Sequence, residues 1–146
     1  MEIVEKIKEK FESKIKSAFS HNEKRIYLEI DKDNLTDIVK FIFWDMDARF
    51  ITASGVDNLK NMEILYHFSL DPEGIVISLR VFLDRDNPYV ESISSIVKGA
   101  LNIEREMYEL LGIKFLNHPG LKRFLTDEFP EGFYPLRKDA KQRVNE

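Results

Sequence analysis

At 146 residues the chain is long enough for one domain with a single core, and 43 % hydrophobic with 33 % charged residues is a globular rather than a disordered composition. A formal net charge of -4 argues against a general nucleic-acid surface, because non-specific binding relies on clustered Lys and Arg neutralising phosphates. Cysteine is absent, which excludes a disulfide framework, thiolate metal sites and iron-sulfur ligation by this chain. Residues 1–16 mix charges with apolar residues unlike a signal peptide, and no run approaches the roughly 20 residues that span a bilayer, so the chain reads as cytoplasmic.

Ile3, Val4, Ile7, Phe11, Ile15 and Ala18 recur at helical spacing, which predicts an amphipathic helix ending near His21-Asn22. Acids and bases share its polar face, so packing is favoured over binding a membrane surface. Ile26, Leu28 and Ile30 alternate with Arg25, Tyr27 and Glu29 as in a half-buried strand. Asp33 or Asn34 then stands where it would cap a helix carrying Leu35, Ile38, Val39, Ile42 and Met46, its face broadened by Phe43 and Trp44. Strands are expected over 49–56, 62–70 and 74–83. The last two form a hairpin, because Asp71-Pro72-Glu73-Gly74 supplies a type I turn with a glycine able to take a positive φ. Ile75, Ile77, Leu79, Val81 and Leu83 make one face of the last strand, and Val76, Ser78, Arg80 and Phe82 a mixed one. A short helix is expected from Ser92 through Ile93, Ile96 and Val97, broken at Gly99, with Asn102 capping a fresh helix. The order of elements predicts an α+β fold: a mainly antiparallel sheet of about four strands, helices packed on one face, and an extended C-terminal arm. The body spans 1–128 and the docking arm 129–146.

Charge, apolar anchors and backbone punctuation are densest over 104–139. Glu104, Met107 and Leu111 share a helix face at i, i+3, i+7 spacing, which sets Glu104 on or beside the inward stripe. A carboxylate there requires a cation. Arg105 and Glu109 can pair with each other one turn apart, leaving Lys122, Arg123, Arg137 or Lys138 for Glu104. An exposed pair contributes about 0 to 1 kcal/mol, whereas removing one partner of a buried pair costs about 3 to 5, so the stretch reads as a docking lock. Gly112 suits the position that ends such a helix, and His118-Pro119 forces an extended or turning backbone. The basic pairs Lys122-Arg123 and Arg137-Lys138 lie among Phe124, Phe129, Phe133 and Tyr134, and aromatics with arginine anchor buried interface centres. The prolines and glycines between 119 and 135 suit an arm laid across another protein.

Catalytic readings are weaker. His21, His67 and His118 make no i, i+3 or i, i+4 pair, and there is no His-Glu-x-x-His pattern. His67 on its strand suits a hydrogen-bonded structural role, and His118 before a proline suits a bond to neighbouring backbone. Glu104 and Glu106, two apart on a helix, point about 200° from each other and cannot flank one bond. No glycine-rich phosphate loop or nucleophile elbow is visible. The alternatives from other classes are a free-standing small enzyme using His67 or His118, and a module that binds a protein ligand by sheet-edge addition.

Glu104-Arg105-Glu106, the acid at Glu109, two apolar residues, Gly112-Ile113, His118-Pro119, a leucine and Lys122-Arg123 resemble the signature of the 30 kDa subunit family of respiratory complex I, the NADH dehydrogenase. That family also contains the matching small subunits of energy-converting, membrane-bound nickel-iron hydrogenases. Pro135-Leu136-Arg137-Lys138-Asp139 resembles its terminal motif, and the Gly55-Val56-Asp57 strand end, the Leu65-Tyr66-His67-Phe68 strand and the Ser92 segment follow its order of elements. Phe124 stands where an aliphatic residue is expected. Ala140 stands where complex I members continue with Phe-Pro, and this departure, with the shortness of the chain, favours the shorter hydrogenase-type members. The resemblance implies a non-catalytic assembly subunit, peripheral on the cytoplasmic side of the cell membrane. Its partners would be a large, 49 kDa-like subunit and neighbouring iron-sulfur subunits. It would hold no cofactor, the iron-sulfur clusters and any nickel-iron site belonging to those partners. The partner-binding lock would comprise Glu104, Arg105, Glu106, Glu109, His118, Lys122, Arg123, Phe133, Tyr134, Arg137, Lys138 and Asp139. A quinone-reducing complex I or a sulfur-reducing relative is the other branch.

Overall fold

The computed structural model of the chain describes residues 2–121 and 134–138. Its frame is a five-stranded sheet in the order β1-β2-β5-β4-β3, formed by β1 (Ile15–Asn22), β2 (Arg25–Ile30), β3 (Arg49–Asp57), β4 (Asn61–Leu70) and β5 (Ile75–Asp84). All neighbours are antiparallel except β2 and β5, which run parallel with Ile26 opposite Ile77 and Leu28 opposite Leu79. The central hairpin forms because Gly74, at φ 66°, closes the turn after Asp71. Alternation then does the sorting. Met62, Ile64, Tyr66, Phe68 and Leu70 of β4 face the same side as Ile75, Ile77, Leu79, Val81 and Leu83 of β5, and all ten are buried. The other face keeps Arg80 between the Tyr27 and Phe82 rings, 3.6 Å from Glu63.

Three helices complete one core with the apolar side of the sheet: α1 (Glu2–Lys10) through Val4 and Ile7, α2 (Leu35–Lys40) through Leu35, Ile38 and Val39, and α3 (Leu101–Leu111) through Met107 and Leu111. Among the described residues no helix is long and apolar enough to cross a membrane. A small parallel ladder, β6 (Tyr89–Glu91) with β7 (Lys114–Leu116), ties the segment before α3 to the one after it.

Four local expectations are corrected. The first helix stops at Lys10 rather than near His21, and 15–22 is an edge strand. The helical period holds through the buried Phe11. Beyond it, pairing with β2 wins, set by an Asx turn in which Asn22 Oδ1 accepts Lys24 N–H at 2.7 Å. Asn34 makes no capping bond; the Asp31 side chain caps the preceding 3-10 turn by accepting Asp33 N–H. After α2 the chain widens into a π-turn (Phe41–Asp45), which takes Trp44 out of phase with the apolar stripe and leaves it 56 % exposed. Residues 93–97 form a turn on Ile93 O rather than a helix, followed by a 3-10 turn (Lys98–Ala100) that puts Asn102 inside the first turn of α3 instead of at its cap.

Gly55 sets how closely α3 approaches β3. A Cβ there would stand 2.6 Å from Leu111 Cδ1 and 3.3 Å from Met107 sulfur. Gly55→Ala should therefore lower unfolding stability by about 1 to 3 kcal/mol. Combined with Leu111→Ala, which opens that space, the loss should be smaller than the sum of the two single losses in denaturant unfolding; strict additivity would show that α3 does not rest on this position.

Candidate functional site

α3 carries the motif residues inward as well as outward. Glu104 is fully buried and Glu109 almost so, Arg105 is half-buried and Glu106 exposed. Glu104 meets no cation among the described residues. Its Oε1 accepts the Ser92 hydroxyl at 2.6 Å and its Oε2 accepts Ile93 N–H at 3.0 Å. The expected ion pair with Arg137 or Lys138 is thus replaced by a neutral turn, because the Ser92 side chain and the Ile93 backbone already present an O–H and an N–H to the inner face of α3. Lys122, Arg123, Phe124, Phe129, Phe133 and Asp139, with the expected body-arm boundary, lie outside the described residues. Burial pushes the Glu104 carboxyl up to about 7; the Ser92 and Ile93 donors oppose the shift and the charge of Glu91 adds to it. Tyr66 approaches it from β4, its buried hydroxyl without a hydrogen bond among the described residues and pushed well above its ordinary value by burial and then by the Glu104 charge.

Gly112 ends α3 at φ 76°, as its position implies. It also leaves room for Tyr134, whose ring comes within 2.8 Å of the place a Cβ would occupy and lies 6.3 Å from the Tyr108 ring. From there the terminal motif folds back over its own body. Leu136 N–H donates to Leu110 O at 2.9 Å, Arg137 N–H to Tyr134 O, and the Arg137 guanidinium to Arg85 O at 3.2 Å.

The anchor of this segment is Asp57, the last residue of β3, legible from sequence only as a strand end. Its carboxylate is 2 % exposed and accepts four bonds of 2.9 Å: two from the Arg85 guanidinium, one from Leu59 N–H and one from Lys138 N–H. Arg85 bonding holds the carboxyl well below the usual carboxylate range against the opposing effect of burial, with Lys138 and Leu59 helping. No short motif flags this pair, since Asp57 and Arg85 are 28 positions apart.

Two of the three histidines, His118 and His67, are held by hydrogen bonds. His118 Nε2 lies 2.8 Å from Leu101 O while Nδ1 accepts Gly120 N–H at 3.0 Å, which places the ring hydrogen on Nε2 and pins the loop after β7 to the first turn of α3. His67 Nδ1 is 2.7 Å from Ser78 Oγ, and burial lowers its affinity for a proton. Among the described residues no group of three or more His, Asp or Glu is gathered to hold a metal ion.

Residues 28–146 match the family described as the respiratory-chain NADH dehydrogenase 30 kDa subunit. The chain belongs to this family. It is 34 % identical over 140 residues to a subunit of the F(420)H(2) dehydrogenase of Methanosarcina mazei, covering 94 % of this chain and 89 % of that one. It is 32 % identical over 146 residues to the membrane-bound hydrogenase subunit beta of Pyrococcus furiosus, covering 95 % and 84 %. A chain in the structure of a membrane-bound sulfane sulfur reductase, an archaeal respiratory membrane complex, shares the fold, with a TM-score of 0.80 over 99 % of this chain and 91 % of that chain at 21 % identity.

Asp57→Asn should cost about 3 kcal/mol, the low end for a broken buried pair because Arg85 remains 19 % exposed. The folded carboxyl titrates below its unfolded value. Its contribution is therefore complete above the unfolded value of 3.8 and drains away as the pH falls further. The Lys138 amide resonance should hold a fixed shift down to about pH 4 in the parent protein and move to its released position at neutral pH in Asp57→Asn. An unmoved Lys138 amide in the variant would detach Asp57 from the terminal segment.

Proposed function

We propose that this chain is a non-catalytic structural subunit of a multisubunit, membrane-bound nickel-iron hydrogenase, and that it positions the large catalytic subunit on the cytoplasmic side of the membrane. Family membership, with similarity to a membrane-bound hydrogenase subunit along 95 % of the chain, carries the reading. The occupied ring nitrogens of His118 and the pairing of His67 with Ser78 support a positional role over chemistry. Iron-sulfur clusters and the nickel-iron site would belong to partners, in keeping with a sequence that has no cysteine. The 34 % identity to a subunit of an F(420)H(2) dehydrogenase favours a second reading, the same positional role in a complex I-type dehydrogenase.

The motif divides by direction. Glu104 and His118 bond within the chain and Glu109 is buried, whereas Glu106, Leu136 (60 % exposed) and the Lys138 side chain are exposed and would meet the large subunit. An exposed apolar anchor together with exposed charges is the composition of an interface centre and its rim.

Purified through a tag from gently solubilised membranes, the chain should bring with it a large subunit together with nickel and iron. Iron without nickel would select the dehydrogenase reading, and recovery of the chain alone would overturn both. Leu136→Asp combined with Glu106→Lys should reduce recovery of the large subunit roughly tenfold or more while leaving the thermal unfolding midpoint within a few degrees of the parent. Undiminished recovery would remove this surface from the interface.

A further inference from the structure

A chain of hydroxyls runs from the buried Glu104 carboxyl to the protein surface. Ser92 Oγ lies 2.6 Å from Glu104 Oε1 and 2.7 Å from Ser94 Oγ, and it accepts Ser94 N–H at 3.1 Å. Ser94 is half-buried and, with Ser95, Lys98, Leu101, Asn117 and Pro119, lines a surface groove of about 420 Å³. The second carboxyl oxygen is held by Ile93 N–H.

Each hydroxyl has one hydrogen and can serve either direction. With a carboxylate, Ser94 O–H donates to Ser92 Oγ and Ser92 O–H donates to Glu104 Oε1. With a carboxylic acid, Glu104 Oε1–H donates to Ser92 Oγ, Ser92 O–H donates to Ser94 Oγ, and Ser94 O–H turns to the groove. Both arrangements satisfy the Ser92–Glu104 and Ser92–Ser94 contacts without moving a heavy atom.

We propose that Glu104 is a reversible proton-binding site, reached from the groove through the Ser94 and Ser92 hydroxyls, whose charge state sets how firmly the 92–97 turn is held to α3. Release breaks the Oε1–H bond as its proton passes to Ser92 Oγ. The proton of Ser92 passes to Ser94 Oγ, and that of Ser94 to solvent. One proton leaves for each negative charge formed, and no other bond changes.

The groups around the site fit this exchange. Glu91 on β6 adds like charge, Tyr66 on β4 is neutral, and His118 after β7 is bonded to Leu101 O at the start of the helix. Lys98 precedes α3 at the groove, and Arg105 and Glu106 flank Glu104 on the helix itself. Burial places the midpoint at about 7, against 4.5 for an ordinary glutamate. The folded carboxyl thus keeps its proton to a higher pH than the unfolded one. Its contribution to stability is complete below pH 4.5 and is lost as the pH rises through about 7.

The test uses the full-length chain with carbon-13 at its glutamate carboxyls. One carboxyl should titrate with a midpoint of about 7, be missing in Glu104→Gln, and track a fall in the thermal unfolding midpoint that Glu104→Gln abolishes. Ser94→Ala should leave the midpoint in place, because Ser92 still donates. It should slow proton exchange after a pH jump, read from the infrared carboxylic-acid band, roughly tenfold or more, since exchange must then await local opening of the turn. If Glu104→Gln does not fold, the parent titration and the Ser94→Ala rate decide the matter together. Every glutamate titrating below about 5, or Ser94→Ala exchanging as fast as the parent, overturns the proposal.

Discussion

The Asp57 carboxylate is the point on which the described C-terminal segment depends. A strand end normally leaves its last backbone groups to solvent, but here one buried side chain gathers four donors from three separate places: the loop after β3, the loop after β5 and residue 138. Without a charge at Asp57, the Arg85 guanidinium and the Lys138 amide would lose the charged acceptor they share, and the packing of Tyr134 over Gly112 and the backbone bonds of Leu136 and Arg137 would carry more of the segment's hold. The geometry is bidentate, which fixes the angle of Arg85 as well as its distance and so presents Arg85 O to Arg137.

Asp57 and Glu104 are both carboxylates removed from water, and the fold treats them oppositely. Asp57 receives a guanidinium and two amides, so its charged form is the favoured one despite burial. Glu104 receives a hydroxyl and one amide, with Glu91 nearby, and burial prevails. Two hydrogen bonds from neutral donors are insufficient to offset full desolvation of an ion, whereas four bonds including a bidentate cation are sufficient. The two responses have opposite signs in pH. Acid loosens the segment held at Asp57, and alkali loosens the turn held at Glu104.

The sheet is readable from the chain wherever alternation is strict. β4 and β5 announce themselves by ten apolar inward residues and a turn with glycine at its end, and the five-stranded, mainly antiparallel sheet with helices against one face follows the α+β expectation, one strand richer. β1 escapes a local reading because Ile15 and Ala18 continue a helical period by chance, while the Asn22 turn that makes it half of a hairpin lies at its far end. β6 and β7 are three residues each and meet across 25 positions, so neither carries a period that such a reading can detect. At the site, the inward placement of Glu104 and the helix stop at Gly112 are legible from spacing and from the needs of a left-handed residue. The partners of Glu104 are not, because Ser92 and Ile93 are unremarkable in sequence and become donors only once β6 has delivered their turn to α3.

A motif rich in charge suggests a surface for another protein, yet much of this one is turned inward. Glu104 joins the 92–93 turn to α3, His118 joins the loop after β7 to the same helix, and residues 134–138 close over its C-terminal end. α3 is consequently held in its first turn and at its end by polar contacts to three different segments, in addition to its apolar seat on Gly55. A helix fixed in this way cannot rotate or slide without breaking several bonds together. The outward Glu106, and Leu136 carried on the segment that closes over the helix, are therefore presented in a fixed relation to each other. Were this the surface that meets a partner, as proposed, binding to it would avoid ordering those side chains at the moment of contact, which is the physical advantage of using buried polar groups to brace it.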